Sequence, residues 1–249
     1  MKIAGGTDDA NAADAGPTIN STQNNTERMV NFSALGLVPR FRCALYPDNV
    51  SAETPRWLLG QLYTVGHSNH PIEKFIGLLT ANGITAVADV RSRPFSRRYP
   101  QFNKERLAAQ LAQHGIAYVF LGKELGARSE DPGCYEDGRV QYPRLAATAA
   151  FKTGIERVLA GAEKYRLALM CAEKEPLDCH RTLLVSRALE RTGACMAHIL
   201  ADGSVEPQDK TMSRLIDLVG LSKEDMFRER SDLIAAACKL REDKIAYKK

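Results

Sequence analysis

From Tyr63 onward, short runs rich in β-branched and aromatic residues alternate with amphipathic stretches of ten or more residues. No other feature constrains the fold as tightly. "LYTVGHS", "ITAVADVR", "IAYVFLG", "RLALMCA" and "CMAHIL" read as strands. Between them, "PIEKFIGLLTANG", "NKERLAAQLAQHG", "LAATAAFKTGIERVLAGAEKY" and "CHRTLLVSRALERTG" read as helices. The first of these carries Pro71 and Glu73 at its start and Gly83 at its end, as helix boundaries require. Strands joined by helices of this length pair in parallel, and the helices cover the faces of the sheet. The expected fold is α/β: three layers, a mostly parallel open sheet of about five strands with helices on both faces, then C-terminal helices.

A chain of 249 residues suits one such domain with appendages. Residues 1–58 differ from the rest. "GGTDDANAADAGPTINSTQNNTE" is small, polar and aperiodic, and buries too little apolar surface to offset its ordering entropy. A low-order N-terminal extension is expected there, with Met29 as an alternative start and Trp57 docking near the domain boundary. The α/β domain is expected over 59–206 and a helical extension over 207–249. "KTMSRLIDLVG" and "SKEDMFRERSDLIAAACKLREDK" form that extension, the last helix charged and peripheral.

No apolar run approaches the roughly 18 residues that span a bilayer, and the first residues lack the apolar core of a signal peptide. Six cysteines, Cys43, Cys134, Cys171, Cys179, Cys195 and Cys238, show no disulfide-scaffold rhythm. A cytoplasmic protein with mostly reduced thiols and no membrane partner is expected. The net charge of +4 does not by itself demand nucleic acid. No G-x-G-x-x-G follows the first strand, and "GKELGAR" has too few glycines for a Walker loop, so NAD and ATP fingerprints are absent.

In an open parallel sheet, ligands bind outside the carboxyl ends of the strands. The first strand releases Gly66, His67 and Ser68, and the second Asp89, Arg91 and then "SRPFSRRYPQFN". The third releases "GKELGAR" and the fourth "MCAEKEPLDCHR". The reactive side chains therefore fall on one expected edge.

"YTVGHSNH", "VADVRSRPFSRRYPQFN", "LGAR" and "MCAEKEPLDCHR…HILADG" together resemble the DUF488 family, whose members are of unknown function. The resemblance spans roughly 63–206. It implies an α/β domain and marks His67, Asp89, Arg91, Cys171, Glu173, Cys179, His180 and Arg181 as signature positions. It supplies no activity, and nothing is carried over to "SVEPQ" beyond "HILADG".

Three chemistries compete for "MCAEKEPLDCHR". A phosphate cradle is disfavoured, because Glu173, Glu175 and Asp178 outnumber Lys174 and would repel an anion. A zinc clip of Cys171, Cys179 and His180, with His67 as a fourth ligand, is open but disfavoured. Adjacent helical residues such as Cys179 and His180 point roughly 100° apart. A catalytic loop fits better. Asp178 is a candidate N-cap for a helix beginning at Cys179, whose thiol pKa the helix terminus, His180 and Arg181 would lower. Glu173 shares the side of Cys171 by period-two alternation and is a candidate acid, base or nucleophile. A reversible disulfide between Cys171 and Cys179 is a further alternative.

In "GHSNH", Gly66 admits close backbone approach and His67 exchanges protons near neutral pH. Arg91, Arg93, Arg97 and Arg98 interleave with Phe95, Tyr99 and Phe102. Guanidinium forks suit phosphate and aromatic faces suit bases, so a nucleotide or single-stranded nucleic acid is the expected ligand class. The overall expectation is an enzyme with Glu173, His67, Cys171, Cys179 and His180 in catalytic roles. Gly66, Ser68, Asp89, Arg91, Arg93, Arg97, Arg98 and Arg181 would bind a phosphate-bearing ligand. A non-catalytic nucleotide or nucleic-acid binding module is the alternative.

Overall fold

A computed structural model describes residues 61–221 and 229–249. The expected N-terminal extension, including Met29 and Trp57, lies outside the described residues. Five strands run parallel: β1 (Gln61–Gly66), β2 (Ala86–Asp89), β3 (Ala117–Phe120), β6 (Leu167–Cys171) and β7 (Cys195–Ile199). A two-stranded hairpin, β4 (Tyr135–Glu136) with β5 (Arg139–Val140), stands apart from them. A sixth strand, β8 (Val205–Pro207), joins the main sheet antiparallel to β7, giving the order β3-β2-β6-β1-β7-β8. Sequence periodicity missed β8 because three residues of "SVEPQ" are too few to show alternation. Its pairing with β7 rests on the tight return through Gly203, where Leu200 N–H donates to Ser204 O at 2.9 Å.

Side chains alternate across the sheet and feed two cores, one on each face. Tyr63, Val65, Val87, Ala168 and Met170 pack with α1 (Ile72–Ala81) and α2 (Lys104–Gln113) through Phe75, Leu79, Leu107 and Leu111. Leu62, Ala86, Ala88, Leu167, Leu169 and Cys171 face the opposite way. They share a core with α4 (Tyr142–Ala147), α5 (Ala149–Ala162) and α7 (Gln208–Val219). The molecule is thus a three-layer α/β fold. Every residue of β6 is buried, because this central strand is covered on both faces. Among the described residues, no helix is long and apolar enough to cross a membrane.

Three local expectations are corrected. "LAATAAFKTGIERVLAGAEKY" is two helices, since Thr148 turns extended and its Oγ1 accepts from Phe151 N–H at 3.2 Å as a cap for α5. Residues 122–143, rich in Gly, Pro and charge, are expected as loop from the sequence, but "GKELG" forms one short helix, α3 (Gly122–Leu125). The last helix, α8 (Arg230–Ile245), is not peripheral. Leu233 and Ala237 join the core, and buried Glu242 accepts from Tyr142 N–H at 2.7 Å. Beyond α8 the chain runs beside the hairpin, where Val140 N–H donates to Tyr247 O at 2.9 Å.

Candidate active site

β6 lies between β1 and β2 with Gly66 level with Cys171 and Asp89 level with Met170, so three strands end at one place. What leaves β1 is held by what leaves β6. His67 N–H donates to Cys171 O and Ser68 N–H to Ala172 O, each at 2.9 Å. A Cβ built on Gly66 would stand 1.9 Å from Glu173 O. The close approach that this glycine admits is therefore the chain's own carbonyl.

At the end of β2, Asp89 is fully buried and neutralised on the spot. Its Oδ1 accepts from Arg91 N–H at 3.1 Å and Nε at 2.9 Å; its Oδ2 accepts from Arg91 Nη2 at 2.6 Å and Tyr118 OH at 2.8 Å. Arg91 also donates from Nη2 to Phe102 O at 2.8 Å and from Nη1 to His67 Nε2 at 3.0 Å. A guanidinium only donates, so His67 Nε2 accepts and its Nδ1–H goes to Ser68 O at 2.8 Å. The ring also stacks on Phe102 with centroids 4.2 Å apart. Burial, and then the charge of Arg91, lower the His67 pKa to about 4. Burial pushes the Arg91 pKa down, but the Asp89 carboxylate outweighs it and holds the guanidinium above its ordinary value. His67, Asp89 and Arg91 thus satisfy one another as a buried scaffold.

The loop after β6 carries the reactive groups. Pro176–Asp178 make one 3₁₀ turn, Cys179 is extended, and a π-helical segment, Arg181–Ser186, leads into α6 (Arg187–Glu190). Asp178 is not the expected N-cap: its carboxylate accepts from Arg241 on α8, so the segment from Arg181 opens without a side-chain cap. Arg181 is fully buried beneath the loop. It donates from Nη1 to Glu173 O at 2.7 Å, from Nη2 to Lys174 O at 3.3 Å and from Nε to Thr64 Oγ1 at 3.3 Å. Among the described residues no carboxylate forms an ion pair with it.

Above Arg181, two thiols, an imidazole and a carboxylate converge. Cys179 Sγ lies 2.9 Å from Glu173 Oε2, and Arg181 N–H donates to that sulfur at 3.5 Å. His180 Nδ1 lies 3.7 Å from Cys171 Sγ and 3.8 Å from Cys179 Sγ. His180 Nε2 donates to Val90 O at 3.1 Å. The expected 100° divergence of Cys179 and His180 does not arise, because Cys179 has φ −134° and ψ 139° rather than helical angles. Burial drives the Cys171 thiol up, with neighbouring Cys179 adding to it. Burial also opposes ionisation of Cys179, yet the Cys171 S–H, Arg181 and His180 overcome it and lower that thiol's pKa. Glu173 is exposed as a residue while its carboxylate tip turns inward, and burial of the tip raises its pKa. Burial disfavours the His180 imidazolium, but Cys179 more than compensates and raises that pKa.

The chain from residue 71 to residue 188 matches the model of DUF488, a domain of unknown function. These residues form a DUF488 domain. Neither the curated proteins nor the solved structures compared with it include a match. The matched span of the DUF488 domain takes in β2, β3 and β6 with the loops that carry Asp89, Arg91, Glu173 and Cys179, while β1 with His67 precedes it.

A cleft of about 350 Å³ opens above these groups, with Cys171, Ala172, Glu173 and His180 at its floor. Arg91, Ser92, Arg93 and Phe95 form one wall and Ala127 and Arg128 another. Of the expected ligand-binding arginines, Arg93 reaches the cleft mouth. Arg97 and Arg98 point into solvent outside it, Arg98 over the Tyr99 ring at 5.5 Å. Gly66 and Ser68 lie beneath the β6 loop, and Arg181 lies below the floor.

The DUF488 cleft also contains residues that sequence reasoning passed over. Arg128 stands at the mouth because its N–H donates to Ser92 Oγ at 3.0 Å and its guanidinium lies 4.6 Å over the Tyr247 ring. Gly126 admits this close approach: a Cβ there would stand 2.4 Å from Ser92 Oγ. Arg128 lies within the quoted "LGAR", so a signal for it existed. Tyr142, Ile245 and Tyr247 complete the wall, and no strand-end argument reaches them.

Proposed function

We propose that this DUF488 domain is an enzyme acting on a small phosphate-bearing ligand. Arg93 and Arg128 hold the anionic part at the cleft mouth, and Glu173 with the thiols of Cys171 and Cys179 performs group transfer or hydrolysis at the floor. The observation that carries this reading is the vertical arrangement of the cleft: two guanidinium groups at the entrance, aromatic faces of Phe95 and Tyr247 beside them, and a thiol, a carboxylate and an imidazole beneath. Guanidinium forks suit phosphate oxygens, and flanking rings suit a base. Arg91 and Arg181 act as scaffold in this reading, since most of their N–H donors are already committed within the protein. His67 likewise orients Arg91 rather than exchanging protons, because both its ring nitrogens are bonded. A cytoplasmic setting belongs to the same reading, as reduced thiols are part of the site.

The test is a thermal-shift and turnover screen of nucleotides and sugar phosphates, with Arg93→Ala, Arg128→Ala and Glu173→Gln beside the unchanged protein. Each arginine variant is expected to weaken binding about tenfold, a loss of about 1.4 kcal/mol. Glu173→Gln is expected to retain binding and lose turnover. Unchanged affinity in the Arg93→Ala/Arg128→Ala double variant would sink the reading.

A second reading has its own support. Phe95 is 68% exposed, and Arg97 and Arg98 continue the basic strip beyond the cleft. A single-stranded nucleic acid laid along that strip would stack on Phe95 and bind with a steep salt dependence, without turnover.

A further inference from the structure

We propose that Cys171, Cys179 and His180 form a zinc site whose fourth coordination position opens into the cleft. The proposal rests on the reading of that cleft as the working site, and it makes the two thiols metal ligands rather than reacting groups, with Glu173 left as the reacting side chain.

Three soft or borderline donors already converge. The two sulfurs and His180 Nδ1 all lie within 4.8 Å of one another, and all three residues are buried. Around a tetrahedral zinc with Zn–S of about 2.3 Å and Zn–N of about 2.0 Å, a sulfur and a nitrogen ligand sit about 3.5 Å apart. The observed separations are 3.7 and 3.8 Å, so the nitrogen–sulfur pairs need close by only tenths of an ångström, and the two sulfurs lie within 4.8 Å of one another.

The surroundings orient the donors towards one another. His180 Nε2 is committed to Val90 O at 3.1 Å, which leaves the Nδ1 lone pair facing the sulfurs. Metal-bound imidazoles are oriented by such a bond on the far nitrogen. Cys171 is fixed by pairing with Gly66 on β1, and Met170 before it by pairing with Asp89 on β2. Cys179 Sγ receives Arg181 N–H at 3.5 Å, and the buried Arg181 charge lies below it. Two thiolates and one imidazole are a donor set that selects zinc over magnesium or calcium, which prefer oxygen.

The site has three ligands and not four. Glu173 is the remaining candidate, but its Oε2 lies only 2.9 Å from Cys179 Sγ. Sulfur and oxygen ligands of one zinc stand about 3.6 Å apart. Glu173 therefore belongs beside the open position rather than in it. Cys171, His180 and Glu173 all line the cleft, so that position faces the ligand. Structural zinc sites are closed by four protein ligands, whereas three ligands and an open position are the catalytic pattern.

The experiment uses the full chain, purified under reducing conditions and reconstituted with zinc, then desalted and assayed by elemental mass spectrometry. Cobalt(II) titration is run in parallel, without a cleft ligand. About one equivalent of zinc is expected, together with the intense visible and sulfur charge-transfer bands of a tetrahedral cobalt thiolate site. Cys179→Ser and His180→Ala are expected to lower zinc to roughly a tenth of an equivalent, while Glu173→Gln retains it. A reconstituted unchanged protein with under roughly a tenth of an equivalent and no cobalt–thiolate band would overturn the proposal, as would full zinc content in a folded Cys171→Ser/Cys179→Ser variant. Phosphate-ligand binding that survives in zinc-free protein separates failure of the metal proposal from failure of the proposed function.

Discussion

Replacing Asp89 by asparagine keeps the side chain's shape and removes its charge. In the folded protein this carboxylate is fully buried and receives Arg91 through N–H, Nε and Nη2, with Tyr118 OH as a fourth donor. An asparagine must place its amide NH₂ where one oxygen stood, so donor faces donor at Arg91 in either orientation. Arg91 is left with a backbone carbonyl and a neutral imidazole, and a guanidinium does not shed its proton to relieve the mismatch. Breaking a buried pair by removing one partner costs about 3–5 kcal/mol. For a domain of this size that is a fall of roughly 6–20 °C in Tm. Urea denaturation at neutral pH, followed by circular dichroism, measures it. The loss is expected to be insensitive to salt, because buried pairs are poorly screened. Arg91→Met and the double variant complete a cycle in which the two losses fall short of adding by about 2 kcal/mol. A single-variant cost below about 1 kcal/mol, or strict additivity, would refute the assignment of this pair as scaffold.

Gly66→Ala is expected to destabilise by at least about 3 kcal/mol, since its Cβ would meet Glu173 O at 1.9 Å. Gly77→Ala on α1, where a Cβ meets nothing within 4 Å, should instead stabilise by about 0.5–1 kcal/mol in the same urea assay. His198 is held neutral between Thr64 Oγ1 at 2.8 Å and Gln208 Oε1 at 2.5 Å, and burial lowers its pKa from 6.5 to about 4. The unfolded chain therefore binds the extra proton first. The stability that His198 contributes is present above pH 6.5 and lost as pH falls to about 4, on the order of 3 kcal/mol. Denaturation midpoints measured across that window should show the loss, and a flat profile would remove the assignment.

Much of the fold was readable because its information is local. β1, β2, β3, β6 and β7 are apolar runs between strong helix signals, and α1 and α2 begin and end close to their Pro and Gly punctuation. Convergence of Gly66, Asp89 and Cys171 followed from strand direction alone, a consequence of parallel topology. What escaped depends on partners distant in sequence. β8 is too short to display a period and exists by pairing with β7. Asp178 looked like a cap, but Arg241, far along the chain, claims its carboxylate. Arg91 and Arg93 differ by two residues in one basic run; which one lies bound to Asp89 and which lines the mouth is decided by packing against Phe102 and His67. Composition cannot separate them.

The charge arrangement explains why the arginines of this edge divide into distinct roles. Asp89 and Arg91 cancel within one buried pair and present no net charge to the cleft. Arg181 has no such carboxylate among the described residues, and its guanidinium is satisfied by two backbone carbonyls and a hydroxyl. Carbonyl dipoles solvate a buried cation but do not neutralise it, so its field favours an anion directly above. Cys179 occupies that place, with Arg181 N–H on its sulfur. Burial, with Cys179 adding to it, raises the Cys171 pKa, while the Cys171 S–H, then Arg181 and His180, overcome burial and lower that of Cys179. The loop's own carboxylates do not repel a ligand anion from the floor alone, because Glu175 is paired with Arg214 and Asp178 with Arg241. Glu173 is left as the acidic side chain of the loop free of an ion pair among the described residues. In the proposed reading, an anionic ligand held at Arg93 and Arg128 meets the Glu173 carboxylate and the Cys171 thiol at the floor rather than a field of acids.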